Sequence, residues 1–361
     1  MHSKLRTARI FFDTHAAFHS LATLLALAAF QTCAVTNSHA SDAHAESAPY
    51  PGMPRIAPIG VRIGHHLPML ERAKGPPVDA TKGYRLEQLG TDLYMITDNV
   101  YQSMFMVYEH GVVVIDAPPP YAAHIAEGIR EVTEKPITHL VYSHSHADHI
   151  AGATALGRVP TIIAHEETKR LLQRARDPNR PLPTITFADR YSLNVGSQVL
   201  ELSYHGVAHE PGNIFIYAPA QQTLMVVDVV FPGWMPWRRL ALAQDIPGFF
   251  SQVEAIGKIP FKTLVAGHVA RTGTHADVDL QSEFLRDLKA AAAQALAATK
   301  PGEGLNENAR GNPWAVFDDY IDRVALQCVN QLTPKWATRL AAFDVYIWDQ
   351  CYAMEQSLRI E

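Results

Sequence analysis

Cysteine is scarce in this chain. Only Cys33, Cys328 and Cys351 occur in 361 residues, and the last two could form at most one bridge between them. No run of basic residues is present and the formal net charge is −5, which argues against nucleic acid as a partner. The single long apolar stretch, 21–30, is about ten residues, half of the roughly twenty that a membrane span needs. No repeat of fixed period is visible either, although a sheet-then-helix order occurs twice, which suggests two halves facing each other.

The amino terminus has the layout of an export signal. Lys4, Arg6 and Arg9 precede the apolar stretch, and Ser38-His39-Ala40 reads as a small-x-small cleavage site. Residues 1–40 are therefore expected to be removed and the rest to be periplasmic or secreted, where disulfides can form. Removing Lys4, Arg6, Arg9 and Asp13 (net +2) takes the formal −5 to about −7. Cys33 lacks the leucine and small-residue context of a lipidation site. Residues 41–82, rich in Pro, Ala and His, read as an extended lead-in, and His65 and His66 within it as solvated.

From position 84 the pattern changes to short β-type runs: 84–89, 93–97, 103–108 and 112–116. A helix with Ile125, Ile129 and Val132 on one face follows, then a strand at 138–143. Strand and helix signals alternate through 161–164, 165–172, 199–204, 214–218 and 224–227. The series closes with a strand at 263–266 and a long helix at 277–297.

The chemistry sits where these apolar runs stop. After the strand at 138–143 come His144, His146, Asp148 and His149, four potential ligands within six positions. A turn can splay such residues so that they converge rather than alternate across a sheet. Eighteen histidines in one chain will sometimes cluster by chance. Chance does not explain three further strand ends with the same chemistry: His209, Asp228 and His268. Neutral imidazole and carboxylate suit zinc, so a metal centre is expected. Asp116, at the end of another apolar run, reads either as a supporting residue or as a turn former before Pro118. The segment Phe231-Pro232-Gly233-Trp234-Met235-Pro236-Trp237-Arg238-Arg239 follows Asp228 directly. Its Trp234 and Trp237 are expected to wall a substrate pocket, and Arg238 or Arg239 to meet an anionic group there.

In order and spacing, His144-x-His146-x-Asp148-His149, His209-Glu210-Pro211-Gly212, Asp228 and Gly267-His268 resemble the signature of the metallo-β-lactamase superfamily. The resemblance covers roughly residues 84–290 and implies an α/β fold, an αββα four-layer sandwich, over 83–300. It implies one zinc ion held by His144, His146 and His209, a second held by Asp148, His149 and His268, and Asp228 bridging them. A metal-bridging hydroxide would then hydrolyse a lactone, ester, thioester or amide, with Asp148 positioning it and Asp116 supporting the ligands. The carboxylate at Asp228 resembles lactonases and hydroxyacylglutathione hydrolases more than true zinc β-lactamases, which generally carry Cys or Ser there. A β-lactamase, an iron-dependent sulfur dioxygenase and a non-enzymatic metal-bearing binding protein remain as alternatives. Val227 and Glu210 depart from the usual Gly-Asp and His-Thr-Pro-Gly, and neither removes a ligand.

Residues 301–361 read as a helical extension, two amphipathic helices split near Thr333-Pro334, packed on the domain or forming a homodimer interface. With the turn placed there, Cys328 and Cys351 would lie nearly 20 Å out of register at about 1.5 Å per residue. An intrachain bridge would then need a bent or differently packed pair, the alternatives being buried thiols or an intermolecular bond.

Overall fold

The computed structural model describes residues 66–361. The expected export signal, Cys33, His65 and most of the lead-in lie outside the described residues. Within 66–82 the one regular element is a 3-10 turn, Glu71–Ala73.

Seven strands form the first sheet in sequence order: β1 (Arg85–Gly90), β2 (Leu93–Thr97), β3 (Gln102–Tyr108), β4 (Gly111–Ile115), β5 (Ile137–Val141), β6 (Thr161–His165) and β7 (Ile185–Phe187). The first four are antiparallel hairpin neighbours. From β4 onward the pairing is parallel, because helices α1 (Ala122–Arg130), α2 (Ala147–Ile150) and α3 (Glu166–Ala175) make the crossovers. The second sheet has the order β12-β11-β10-β9-β8, built from β8 (Arg190–Val195), β9 (Gln198–Tyr204), β10 (Ile214–Ala218), β11 (Thr223–Met225) and β12 (Thr263–Val265). After β11 come the short α4 (Arg238–Leu242) and α5 (Ile246–Ile256), and after β12 come α6 (His275–Ala298), α7 (Glu307–Arg310), α8 (Pro313–Trp336) and α9 (Phe343–Ile360).

Strand alternation explains the layering. In β3, Met104 and Met106 face the second sheet while Phe105 and Val107 face helix α1; in β4, Val113 and Ile115 oppose Val112 and Val114 in the same way. Across the sandwich, Ile214 and Ile216 of β10 point inward, and Phe215 points out toward α5 and α6. Successive side chains of a strand take opposite faces, and here both sets are apolar. Each sheet must therefore be covered twice. Three buried clusters result, one between the sheets and one under each helical layer, which is the expected αββα sandwich.

Most expected strands fall within a residue or two of the observed ones. Strands β7 and β8 and helix α5 had no counterpart in the sequence reading. The carboxy-terminal turn is corrected more substantially. Helix α8 runs through Pro334 to Trp336, the chain turns over 337–342, and α9 begins at Phe343. Each cysteine thus stands eight residues from the turn-side end of its helix. They lie level, with Cα atoms 5.9 Å apart and a Cys328–Cys351 disulfide formed. The register objection failed because it placed the turn at Pro334, which the last helical turn accommodates.

The α8–α9 hairpin packs on the domain. Val324, Cys328, Leu332, Ile347 and Cys351 join the core beneath α6. Buried Trp336 donates its indole N–H to Asp287 at 2.9 Å, and Arg339 grips Glu283 at 2.9 and 2.7 Å while lying over the Trp336 ring. Trp314 and Phe317, near the start of α8, are exposed. No helix among the described residues is long and apolar enough to cross a membrane.

Candidate metal centre

The two sheets meet at the edge where their strands end. Ile214 N–H donates to the Ser143 carbonyl at 3.0 Å, and Asn213 donates to the Val227 carbonyl at 2.8 Å. Gln102 of β3 reaches across to the loop after β12, accepting from Ala266 N–H at 2.9 Å and donating to Val269 and Arg271 carbonyls at 2.8 and 2.9 Å. These ties hold the strand ends of both halves over one point, and all seven expected ligands converge there.

Asp228 is the hub. One carboxylate oxygen lies 3.2 Å from His149 Nε2, 3.2 Å from His209 Nε2 and 3.5 Å from His144 Nε2. The other lies 3.1 Å from His268 Nε2. Around it the potential ligand atoms fall into two groups, His144 with His146, His209 and Asp228, and Asp148 with His149 and His268. His209 Nε2 approaches His146 Nδ1 at 2.9 Å, and His149 Nε2 approaches His268 Nε2 at 3.0 Å.

Backbone carbonyls decide which nitrogens face inward. His209 Nδ1 donates to the Ala241 carbonyl at 2.5 Å, and His268 Nδ1 to the Val100 carbonyl at 3.2 Å. A carbonyl only accepts, so each Nδ1 carries the proton and each Nε2 is left to present its lone pair to the centre. His144 Nε2 is fully buried and has no hydrogen-bond partner. A buried orphan nitrogen among converging lone pairs and one carboxylate is the donor arrangement a cation satisfies. The residues present fit a metal.

Charge follows the same geometry. Burial alone would raise the Asp228 pKa, but the neighbouring His149, His209 and His268 hold it well below the usual carboxylate value. Burial works against protonation of His149 and His209 too, and the Asp228 charge outweighs it, raising His209 and pushing His149 up to about 9. His144, wholly buried with histidines on several sides, is held well below its usual value. Asp116 is raised to about 6, chiefly by burial. Its Oδ1 accepts from Ser143 N–H at 2.8 Å, which anchors the residue before His144 and makes Asp116 a support rather than a turn former alone.

Backbone shape carries part of the design. Gly267 precedes His268 at φ +80°, and a Cβ there would meet Val227 Cγ1 at 2.5 Å. Val227 therefore occupies the space that Gly267 leaves. Asp228 itself has φ +61°, an uncommon conformation for a residue with a side chain. In α4, Arg239, Leu240, Ala241 and Leu242 are all left-handed, with φ of 51° to 58°. Each such residue costs about 1–2 kcal/mol, so something else must hold them. Gln350 of α9, fully buried, does so: its Oε1 accepts from Leu240 N–H at 2.6 Å, and its Nε2 donates to the Pro236 and Trp237 carbonyls at 2.6 and 2.9 Å. The clamped turn is what presents the Ala241 carbonyl to His209.

Two functional residues were not singled out from sequence. Glu210 accepts from Ser145 N–H at 2.9 Å and Ser145 Oγ at 2.7 Å, and sits 3.5 Å from His146 Nε2, behind the ligand ring. Its signal was the departure from His-Thr-Pro-Gly. Gln350 had no signal, being one polar residue on an apolar stripe.

A cavity of about 790 Å³ opens over the centre, floored by His146, Asp148, His209, Asp228 and His268. Trp234 and Trp237 line it as expected. Arg238 does not; its guanidinium pairs with Asp349 of α9 at 2.5 Å.

Fold, ligand geometry and comparison agree on the class. The family model for the metallo-β-lactamase superfamily matches residues 97–294, and the chain belongs to that superfamily of metal-dependent hydrolases. Among curated relatives it is 27% identical over 180 residues to the 2,4-dinitroanisole O-demethylase subunit alpha of Nocardioides sp. (strain JS1661), covering 44% of this chain and 55% of that one. It is 29% identical over 120 residues to the metallo-β-lactamase type 2 of Bacillus sp. (strain 170), covering 32% and 44%. The chain thus spans about half the length of the curated relatives it matches. A solved metallo-β-lactamase from Pontibacter korlensis superposes with a TM-score of 0.49 at 20% identity, over 56% of this chain and 99% of that one.

Proposed function

We propose that this chain is an exported hydrolase of small carbonyl substrates, a lactone, ester, thioester or amide, that holds two zinc ions. The observation that carries the reading is the Asp228 carboxylate, within 3.1 to 3.5 Å of imidazole nitrogens from both ligand groups. His144, His146 and His209 would hold one ion, Asp148, His149 and His268 the other, and Asp228 both. Such a pair, when bound, acidifies water and polarises a carbonyl oxygen. The all-imidazole and carboxylate donor set favours zinc, and the residues 1–40 support export.

The chain's own groups supply the rest. Asp148 lines the cavity floor with its carboxylate part exposed, placed to accept a hydrogen bond from the attacking water and to hold the proton it gives up. Glu210 and the Ala241 and Val100 carbonyls keep the ligand rings from turning. The surrounding apolar wall keeps bulk water from competing with the substrate.

Metal analysis of the purified mature protein, with a panel of lactones, aryl esters, thioesters, β-lactams and 2,4-dinitroanisole, tests this. Two zinc ions per chain and turnover of a carboxylic ester or lactone are expected. Iron with oxygen uptake would replace the reading with sulfur dioxygenase chemistry, and a metal-loaded protein inert to the whole panel would leave a binding protein.

A further inference from the structure

The cavity has a charged floor and an uncharged side. We infer that the non-reacting part of the substrate is an uncharged, apolar acyl chain of medium length, received against a wall that the carboxy-terminal hairpin completes. This deepens the proposed hydrolase reading and rests on it.

Size is the first support. About 790 Å³ lies within the range of pockets that enclose a drug-sized molecule, far beyond the needs of an acetyl group. Chemistry is the second. Trp234, Met235, Trp237 and Leu242 face the cavity from the loop after Asp228, and Val345 and Tyr346 face it from α9. The ionisable side chains lining it belong to the metal centre or to the tyrosines, and no Lys or Arg is among them. The two arginines that follow Trp237 in the chain are engaged elsewhere: Arg238 with Asp349, and Arg239 over the Tyr352 ring at 5.9 Å. A substrate carboxylate or phosphate would find no cationic side chain there.

Exposure is the third support. Of the eleven large hydrophobic residues exposed among those described, Val100, Trp237, Leu242 and Val345 all line this one cavity. Single exposed apolar residues need no explanation, but a cluster at the mouth of a site marks a binding surface.

Turnover of 4-nitrophenyl acetate, butyrate, octanoate and hemisuccinate by the zinc-loaded protein is one arm of the test. Each methylene buried should raise kcat/KM by roughly threefold, so octanoate, with six more methylenes than acetate, should exceed it by on the order of several hundredfold, with hemisuccinate falling below butyrate. Val345→Arg, which puts a cation into the wall, should collapse the octanoate-to-acetate ratio at least tenfold. The second arm needs no catalysis: 2-decanone and 2-butanone, ketones that cannot be hydrolysed, are titrated against the fluorescence of Trp234 and Trp237. Tighter binding of the longer ketone, lost in Val345→Arg, is expected. Equal ester rates, a hemisuccinate as fast as octanoate, or ketone affinity independent of length would overturn the inference. If no ester is cleaved while the ketones still bind by length, the hydrolase reading fails and the apolar site stands.

Discussion

The floor and the wall of the cavity are built by different means. The seven candidate ligand side chains at and beneath the floor come from four strand ends, and His209 and His268 are each backed by a carbonyl, a group with a single hydrogen-bonding role. The wall comes from the loop after Asp228 and from α9, more than a hundred residues later in the chain, and is held by packing, one buried glutamine and a disulfide. Polar groups with few partners fix a floor to a fraction of an ångström. Apolar contact fixes a wall in outline only, which leaves it free to differ where chemistry must not.

Asp228→Ala should break the floor most completely. It removes the carboxylate shared by four histidines, and bound metal and turnover should both fall to background, a loss of about 10⁴-fold or more in kcat/KM; wild-type metal content in this variant would show that the hub is dispensable. Asp148→Asn should leave the fold, judged by circular dichroism, unchanged and cut the rate by roughly 10²- to 10⁴-fold. Acid should weaken the floor without any mutation. His149 keeps its proton up to about pH 9 because Asp228 outweighs burial, and a metal at Nε2 must displace that proton. Affinity should therefore fall about tenfold per unit as pH drops below that value, or about a hundredfold from pH 8 to pH 6, measurable by competition with a chelator of known pH dependence. A flat profile would mean that His149 is not a ligand.

Smaller effects test how the wall touches the floor. Gln350→Ala leaves the Leu240 N–H and two carbonyls unpartnered and should cost about 2–5 kcal/mol in urea unfolding. It should also lower metal affinity by roughly tenfold, through the Ala241 carbonyl and His209. Stability loss with unchanged affinity would separate the two regions. Replacing both Cys328 and Cys351 by serine should cost about 2–4 kcal/mol of stability and leave metal content as it is.

The same division governs what the sequence could tell. Candidate ligands that terminate apolar strands are legible because the run of residues and its end are both local, so the side chains that converge here, His144, His209, Asp228 and His268, were singled out without coordinates. The repeated sheet-then-helix order suggested two facing halves, and the four-layer sandwich came from the resemblance to the superfamily. The wall was legible only in part. Trp234 and Trp237 follow Asp228 in the chain and were placed correctly, but Arg238 was assigned to the substrate because its partner, Asp349, is distant in sequence. The left-handed turn at 239–242 has no glycine to announce it, since its conformation is imposed by Gln350 from another helix. The disulfide was left open because a proline, a local signal, set the turn too early, whereas the helix runs on through it to Trp336.

That a left-handed turn stands between α9 and His209 limits how this scaffold can be diversified. The α8–α9 segment carries no ligand, so exchanging it for a segment of different shape would redraw what the enzyme accepts while the reaction stays the same. Any replacement must still offer an amide that meets Leu240 from above. A graft lacking one would gain a new selectivity and lose its grip on the cation in the same step.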